Sequence, residues 1–240
     1  MIAALGSLAA ALSITVIWPQ VWLSCRHGRT LGLSPTGSWL AVGLNLCWLT
    51  FGLLIDDPAQ VVTHAVVGAG NTAVLAAVLL TQPDLRTTRA LARTSAGATA
   101  LATLAAGSVA AVVLGAAPAA VAAALGPVVT LVGIVAALPQ LLGILFDRTK
   151  DLSGMSPARW YLAAGSCVAW VGYGLLLGQT MVWLSAGFGL VCAVVTCVVL
   201  RTRATAAPTG ALAPVRPPAA GQRVGGRPHV ATPRTALAAA

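Results

Sequence analysis

Catalysis needs a nucleophile beside a base, paired carboxylates or a cluster of metal ligands, and this chain is poor in all three. It has no glutamate, aspartates only at 56, 57, 84, 147 and 151, and histidines only at 27, 64 and 229. The cysteines, Cys25, Cys47, Cys167, Cys192 and Cys197, form no CxxC pair and read as small buried residues rather than metal or redox groups. Cys25 and His27 are two residues apart on a loop, which is no evidence of a dyad. The residues that stand out are uncharged and paired. Pro19-Gln20 is matched by Pro139-Gln140 at an offset of 120, and Ser34-Pro35 by Ser156-Pro157, Trp48 by Trp170 and Gly52 by Gly174 at an offset of 122. A proline inside a helix removes a backbone donor and bends it. Glutamine can hydrogen-bond across helices, and an indole can lay its apolar face on the C–H face of a sugar. This is chemistry of recognition and movement rather than bond breaking; no enzyme is expected, and no cofactor or metal.

The elements that must position these residues follow from hydropathy. Of the 240 residues, 58% are hydrophobic and 8% charged. Apolar runs cover 2–23, 35–55, 59–81, 95–116, 119–146, 157–177 and 181–200, each near the ~20 residues that cross a hydrocarbon core. The expectation is an all-α membrane protein of seven transmembrane helices. The first run has no Lys or Arg ahead of it and is long for the core of a secretory signal, so it is expected to be retained. Residues 201–240, rich in Ala, Pro, Gly and Arg, are expected to be a disordered tail, because they bury too little apolar surface to offset their ordering entropy.

The net charge of +9 is explained by orientation rather than by nucleic acid. Arg26 and Arg29 fall between helices 1 and 2, Arg86, Arg89 and Arg93 between 3 and 4, Arg148, Lys150 and Arg159 around the 5–6 loop, and the rest in the tail. All are on one side. The positive-inside bias then places those loops and the C-terminus in the cytoplasm, with the N-terminus outside, in the cell membrane. Contact of the basic tail with anionic lipid is a further expectation.

Two sets of three helices around one plain helix let the second set return in the orientation of the first. The expected architecture is therefore 3+1+3: a triple-helix repeat in 1–81, a linker helix in 95–116, a second repeat in 119–200 and the tail. Parallel repeats of this kind are a transporter device. "WPQVWLSCRHGRTLGLSP" and "LPQLLGILFDRTKDLSGMSP" resemble the PQ motif and the basic, Ser-Pro-ended loop of PQ-loop and SWEET-like proteins. "WLTFG" and "WVGYG" resemble the aromatic, Gly-containing segment of their second helix. The resemblance covers residues 1 to 200, without the tail.

The resemblance implies that Pro19, Pro35, Pro139 and Pro157 serve as hinges of an inner gate, and on the orientation above they ring the cytoplasmic mouth. Pro35 and Pro157 are also simply well placed in a first helical turn, and Gln20 and Gln140 read as interhelical glue or as contacts of a passing solute. A binding site is expected near the midplane, with Trp48 and Trp170 as its walls and Asn45 and Ser166 one turn before them. Trp18, Trp22, Trp39, Trp160 and Trp183 read as interfacial anchors. Sugar-carrying relatives usually present an asparagine in the third helix of each repeat; here that register gives His64, and Ala186 beside Ser185. Asn71 is two turns beyond His64 on nearly the same face and reads either as a cavity residue or as a packing residue. His64 reads as interfacial, as a ligand or as a proton-sensitive group. No acid lies in mid-span, where proton-coupled carriers keep one. The expected function is therefore facilitated, alternating-access transport of a small neutral polar solute, foremost a sugar. The alternatives are a PQ-loop carrier of amino acids or another small metabolite, or a non-transporting receptor or assembly factor on the same fold. With two repeats in one chain a monomer suffices for a pore; a homo-oligomer is an open alternative.

Overall fold

The computed structural model describes residues 1–30, 33–146 and 157–206. Met1–Ala204 form one compact unit; the chain from Thr205 on is a separate unit of which only the end of the last helix is described. Among the described residues there are seven α-helices: α1 (Ile2–His27), α2 (Pro35–Leu54), α3 (Pro58–Thr81), α4 (Thr88–Val113), α5 (Pro118–Phe146), α6 (Pro157–Leu176) and α7 (Thr180–Ala206), with a 3₁₀ turn over Pro83–Arg86.

Their ends have local causes. Ser34 accepts from the Gly37 N–H and Pro35 follows as the first helical residue, so α2 starts with a cap and a preset φ. Asp57 and Pro58 do the same for α3, with Asp57 Oδ1 accepting from the N–H groups of Ala59 and Gln60. Gly28 ends α1 in the left-handed region at φ 61°, which glycine adopts without strain. Three helices outrun their apolar segments. Arg26 and His27 extend α1, Arg89 and Arg93 lie in the first turns of α4, and α7 continues through Arg201 and Arg203 to Ala206, which corrects a tail expected from residue 201. Arginine is a good helix former and lets its charge reach past the apolar stretch.

Helices α1 to α5 and α7 are long and apolar enough to cross a membrane. Helix α6 is not among them; it carries Arg159 near its start and turns Ser166, Trp170 and Tyr173 inward, where they are buried. Large apolar side chains are meanwhile exposed on the outside, among them Leu80, Val113, Leu131, Val168 and Leu175, a surface suited to lipid rather than water.

Helix α3 packs on both α1 and α2, α4 runs along α2, and α1 meets α6 as α2 meets α5. Small residues allow the close approaches. A Cβ on Gly43 of α2 would lie 3.1 Å from the Ala98 Cα of α4, and Cys47 Sγ donates to the Leu101 carbonyl at 3.2 Å; in helix packing within lipid such contacts stand in for a hydrophobic drive.

The turn between α2 and α3 recurs between α6 and α7. Asp57 N–H donates to Gly52 O at 2.9 Å, and Gln179 N–H to Gly174 O at 2.8 Å; Ile55 N–H to Phe51 O and Leu177 N–H to Tyr173 O are both 3.1 Å. Asp56 and Gly178 take positive φ, 52° and 67°. Every pair is separated by 122, the spacing of the two tryptophans.

A candidate solute site between two tryptophans

A cavity of about 280 Å³ opens where α1, α2 and α3 face α6 and α7, lined by Trp48, Trp170, Gln60, Thr63, His64, Ser166 and Ser185, with Ser13, Val67, Cys167, Val182 and Ala186. Among the described residues no charged side chain lines it, and its size is near the ~300 Å³ lower end of small-molecule sites.

Each tryptophan is braced by an aromatic one turn on. Trp48 and Phe51 meet edge to face at 5.4 Å and 83°, Trp170 and Tyr173 at 5.6 Å and 80°, arrangements that ring quadrupoles favour. Trp48 also stacks on His64, with centroids 5.9 Å apart and planes at 18°. The His64 nitrogens are both engaged: Nδ1 lies 3.0 Å from Asn45 Oδ1 and Nε2 3.0 Å from Gln60 Oε1.

Ser13 joins the halves. Its hydroxyl donates to Ala9 O at 2.9 Å and accepts from Trp170 Nε1–H at 3.0 Å, and its Oγ lies 2.8 Å from Ser166 Oγ. A hydroxyl has one proton and two lone pairs. With that proton on Ala9 O, Ser166 is the donor to Ser13, and Ser166 keeps only lone pairs for a solute. Thr63 is different: it is buried, lines the cavity, and its Oγ1 has no hydrogen-bond partner among the described residues. A buried hydroxyl left unpaired costs free energy, so this one is ready for a ligand or water.

One turn beyond each tryptophan, contacts cross between the halves. The Tyr173 ring lies against Gly6 of α1, where a Cβ would come within 2.7 Å, and the Phe51 ring lies against Gly126 of α5, where it would come within 3.0 Å. Tyr173 also donates its phenolic O–H to Asp57 Oδ1 at 2.9 Å. Asp57 is buried, and its Oδ2 has no partner among the described residues.

Residues 1–61 match the PQ loop repeat family. The fold matches that of a eukaryotic SWEET transporter with a TM-score of 0.69, at 14% identity, over 85% of this chain and 97% of that one. The chain carries a PQ-loop repeat on a SWEET-like fold. No curated protein matches it.

Within the PQ-loop repeat, Pro19 is exposed inside α1, and Gln20 Nε2 donates to Ser24 Oγ on the same helix at 2.9 Å, rather than across helices as its motif suggests. The reason is spacing, since Ser24 is one turn on and buried. Pro35 is the first residue of α2. Pro139 and Gln140 lie within α5 and Pro157 opens α6; their side chains lie outside what the structure describes, as do Ser156, Arg148 and Lys150 and the tail from 207. Trp48, Trp170, His64, Ser166 and Ser185 all meet at the cavity, and Asn45 holds His64 from behind. Asn71 does not line it. The cavity stops at Val67, because Gly70 brings α3 against Ile17 and Val21 of α1, where a Cβ would lie 3.3 Å from each; seven residues preserve the face but advance about 10 Å along the axis. Of the expected anchors, Trp18 and Trp22 are exposed and Trp160 lines a second cavity of about 290 Å³ among α5, α6 and α7.

Sequence reasoning missed Ser13, Gln60, Thr63, Phe51, Tyr173 and the two plug glycines. Gln60 is one helical turn before His64 and Phe51 and Tyr173 keep the 122 offset, so helix spacing and the repeat were signals for these. Ser13 had none, since the offset of 120 leads to Gly133.

Proposed function

We propose that the protein is a facilitative carrier that moves a small neutral polar solute, foremost a sugar, across the cell membrane by alternating access. The observation that carries this reading is the cavity between Trp48 and Trp170, one indole from each half of the chain, with hydroxyl and amide groups between them and no charge. Two apolar faces and a polar edge suit a ring that has C–H faces and hydroxyl edges. The SWEET-like fold and the PQ-loop match support transport as the class. The recurring turns at an offset of 122 support a 3+1+3 architecture, with 1–81 and 119–200 as the repeats and α4 as the link.

In this reading Trp48, Trp170, Thr63, Ser166 and Ser185 contact the solute. The crossed contacts of Tyr173 on Gly6 and Phe51 on Gly126 form one gate. The prolines Pro19, Pro35, Pro139 and Pro157, at the opposite end of the helices, mark the hinge of the other. The N-terminus is outside, the basic loops lie in the cytoplasm, and one chain encloses the pathway. The reciprocal plugs favour a moving carrier over a static receptor, because each gate residue belongs to one half and its socket to the other. The experiment is counterflow in liposomes of purified protein, with a panel of mono- and disaccharides and small amino acids. A sugar is expected to exchange; an amino acid alone would move the substrate class, and no exchange by any of them overturns the proposal.

A further inference from the structure

The two nitrogens of His64 both meet amide groups, and the two amides are not equally free. Asn45 Nδ2 donates to the Ala41 carbonyl at 2.8 Å. A carbonyl oxygen only accepts, so the amide nitrogen of Asn45 must face Ala41 and its Oδ1 must face His64, at 3.0 Å from Nδ1. His64 Nδ1 therefore carries a proton. Gln60 faces Nε2 at 3.0 Å, is buried, and lines the solute cavity. Two arrangements satisfy this contact. When His64 is neutral, the Nε2 lone pair accepts from the Gln60 amide N–H, and the Gln60 oxygen turns away from the ring. When Nε2 takes a proton from water in the cavity, Nε2–H donates to Gln60 Oε1 and the amide NH₂ turns away instead.

We propose that His64, fixed by Asn45 as the Nδ1–H form, sets which end of the Gln60 amide is presented to the cavity, so that protonation of His64 changes Gln60 from an acceptor to a donor toward the solute. His64 is then a positioning residue and Gln60 the selector. The device belongs to the first half alone, because the positions 122 later carry Cys167, Val182 and Ala186 in place of Asn45, Gln60 and His64. Other titratable groups around it are few. Helices α1, α2 and α7 bring no charged side chain to the cavity, α6 brings Cys167, and Asp57, about two turns before His64 on α3, is bonded to Tyr173 of α6.

The inference rests on the solute reading for its consequence but not for its test. In lipid nanodiscs, the ring ¹⁵N shifts of histidine-labelled protein, with His64 assigned by His64→Gln, report tautomer and charge without any solute. The expected result is a neutral Nδ1–H ring at high pH that gains the Nε2 proton on acidification. A neutral Nε2–H ring, or one that gains no second proton before the protein unfolds, overturns the proposal. In liposomes, the ratio of glucose counterflow at the two ends of that titration should change about fivefold in the wild type, the worth of one hydrogen bond. In Gln60→Leu it should be flat, while His64 still titrates by NMR. Coinciding wild-type and Gln60→Leu profiles contradict it. A protein that exchanges no member of the solute panel overturns the transport reading, one that exchanges a solute other than glucose is assayed with that solute, and the NMR result decides this proposal in either case.

Discussion

At the turn from α2 to α3 and the turn from α6 to α7 the same hydrogen bonds recur at an offset of 122, the same two tryptophans meet edge-on aromatics, and the same glycines admit the next helix. The side chains these backbones carry into the cavity have diverged. Gln60, Thr63 and His64 with Asn45 behind them give the first half an amide, a hydroxyl and an imidazole; Val182, Ser185, Ala186 and Cys167 give the second half a smaller and more apolar wall. Shape is held in common and chemistry is concentrated on one side. A solute between the indoles would then be gripped by the same two faces from either half but oriented by α3.

Mutations can break the shared part first. A Cβ on Gly174 would meet the Trp183 backbone nitrogen at 2.8 Å, and one on Gly52 would meet Gln60 Cβ at 2.7 Å. Gly174→Ala and Gly52→Ala should each lose about 2–3 kcal/mol of stability by overpacking, read as a lower unfolding temperature in detergent. Gly187→Ala, with open space around it, should be neutral or stabilising by up to about 1 kcal/mol. Equal effects at all three sites would deny that these turns are tight matches.

Next come the places where the halves differ. Tyr173→Phe removes the donor to Asp57 Oδ1 and should cost about 2 kcal/mol, as for a hydrogen bond to a charged group. Phe51→Leu loses no hydrogen bond and should cost less than that; thermal melts of the pair compare them. Trp170→Phe loses the bond from Nε1 to Ser13 and should be about 1 kcal/mol more costly than Trp48→Phe. The smallest effect is expected from Asn71→Ala, which lies beyond the cavity and should leave counterflow within about twofold of wild type.

The seven helices were legible because each has a long apolar run, and their ends less so because hydropathy registers only the part of a helix that is greasy. Arg89, Arg93, Arg201 and Arg203 lie inside helices for which the apolar signal had already stopped. In the site, Trp48 and Trp170 were found through the offset, which survives divergence because it is set by shared backbone. The polar residues were harder. His64 was found and Gln60, one turn before it, was passed over, although their shared helix face implied the contact. Asn71 was chosen for its face alone, and the Gly70 contact that ends the cavity between them cannot be read without knowing how closely α1 approaches. Ser13 became visible only when α1 met α6.

Cys167 offers the most direct test that this cavity is where the solute binds, because its side chain lines the cavity. The rate of its alkylation by a small maleimide, followed by mass spectrometry of the Cys167 peptide in nanodiscs, can be measured with and without a solute that shows counterflow. The account predicts that the solute slows labelling of Cys167 and that Trp48→Ala abolishes the protection. Labelling that proceeds at the same rate with saturating solute would contradict it.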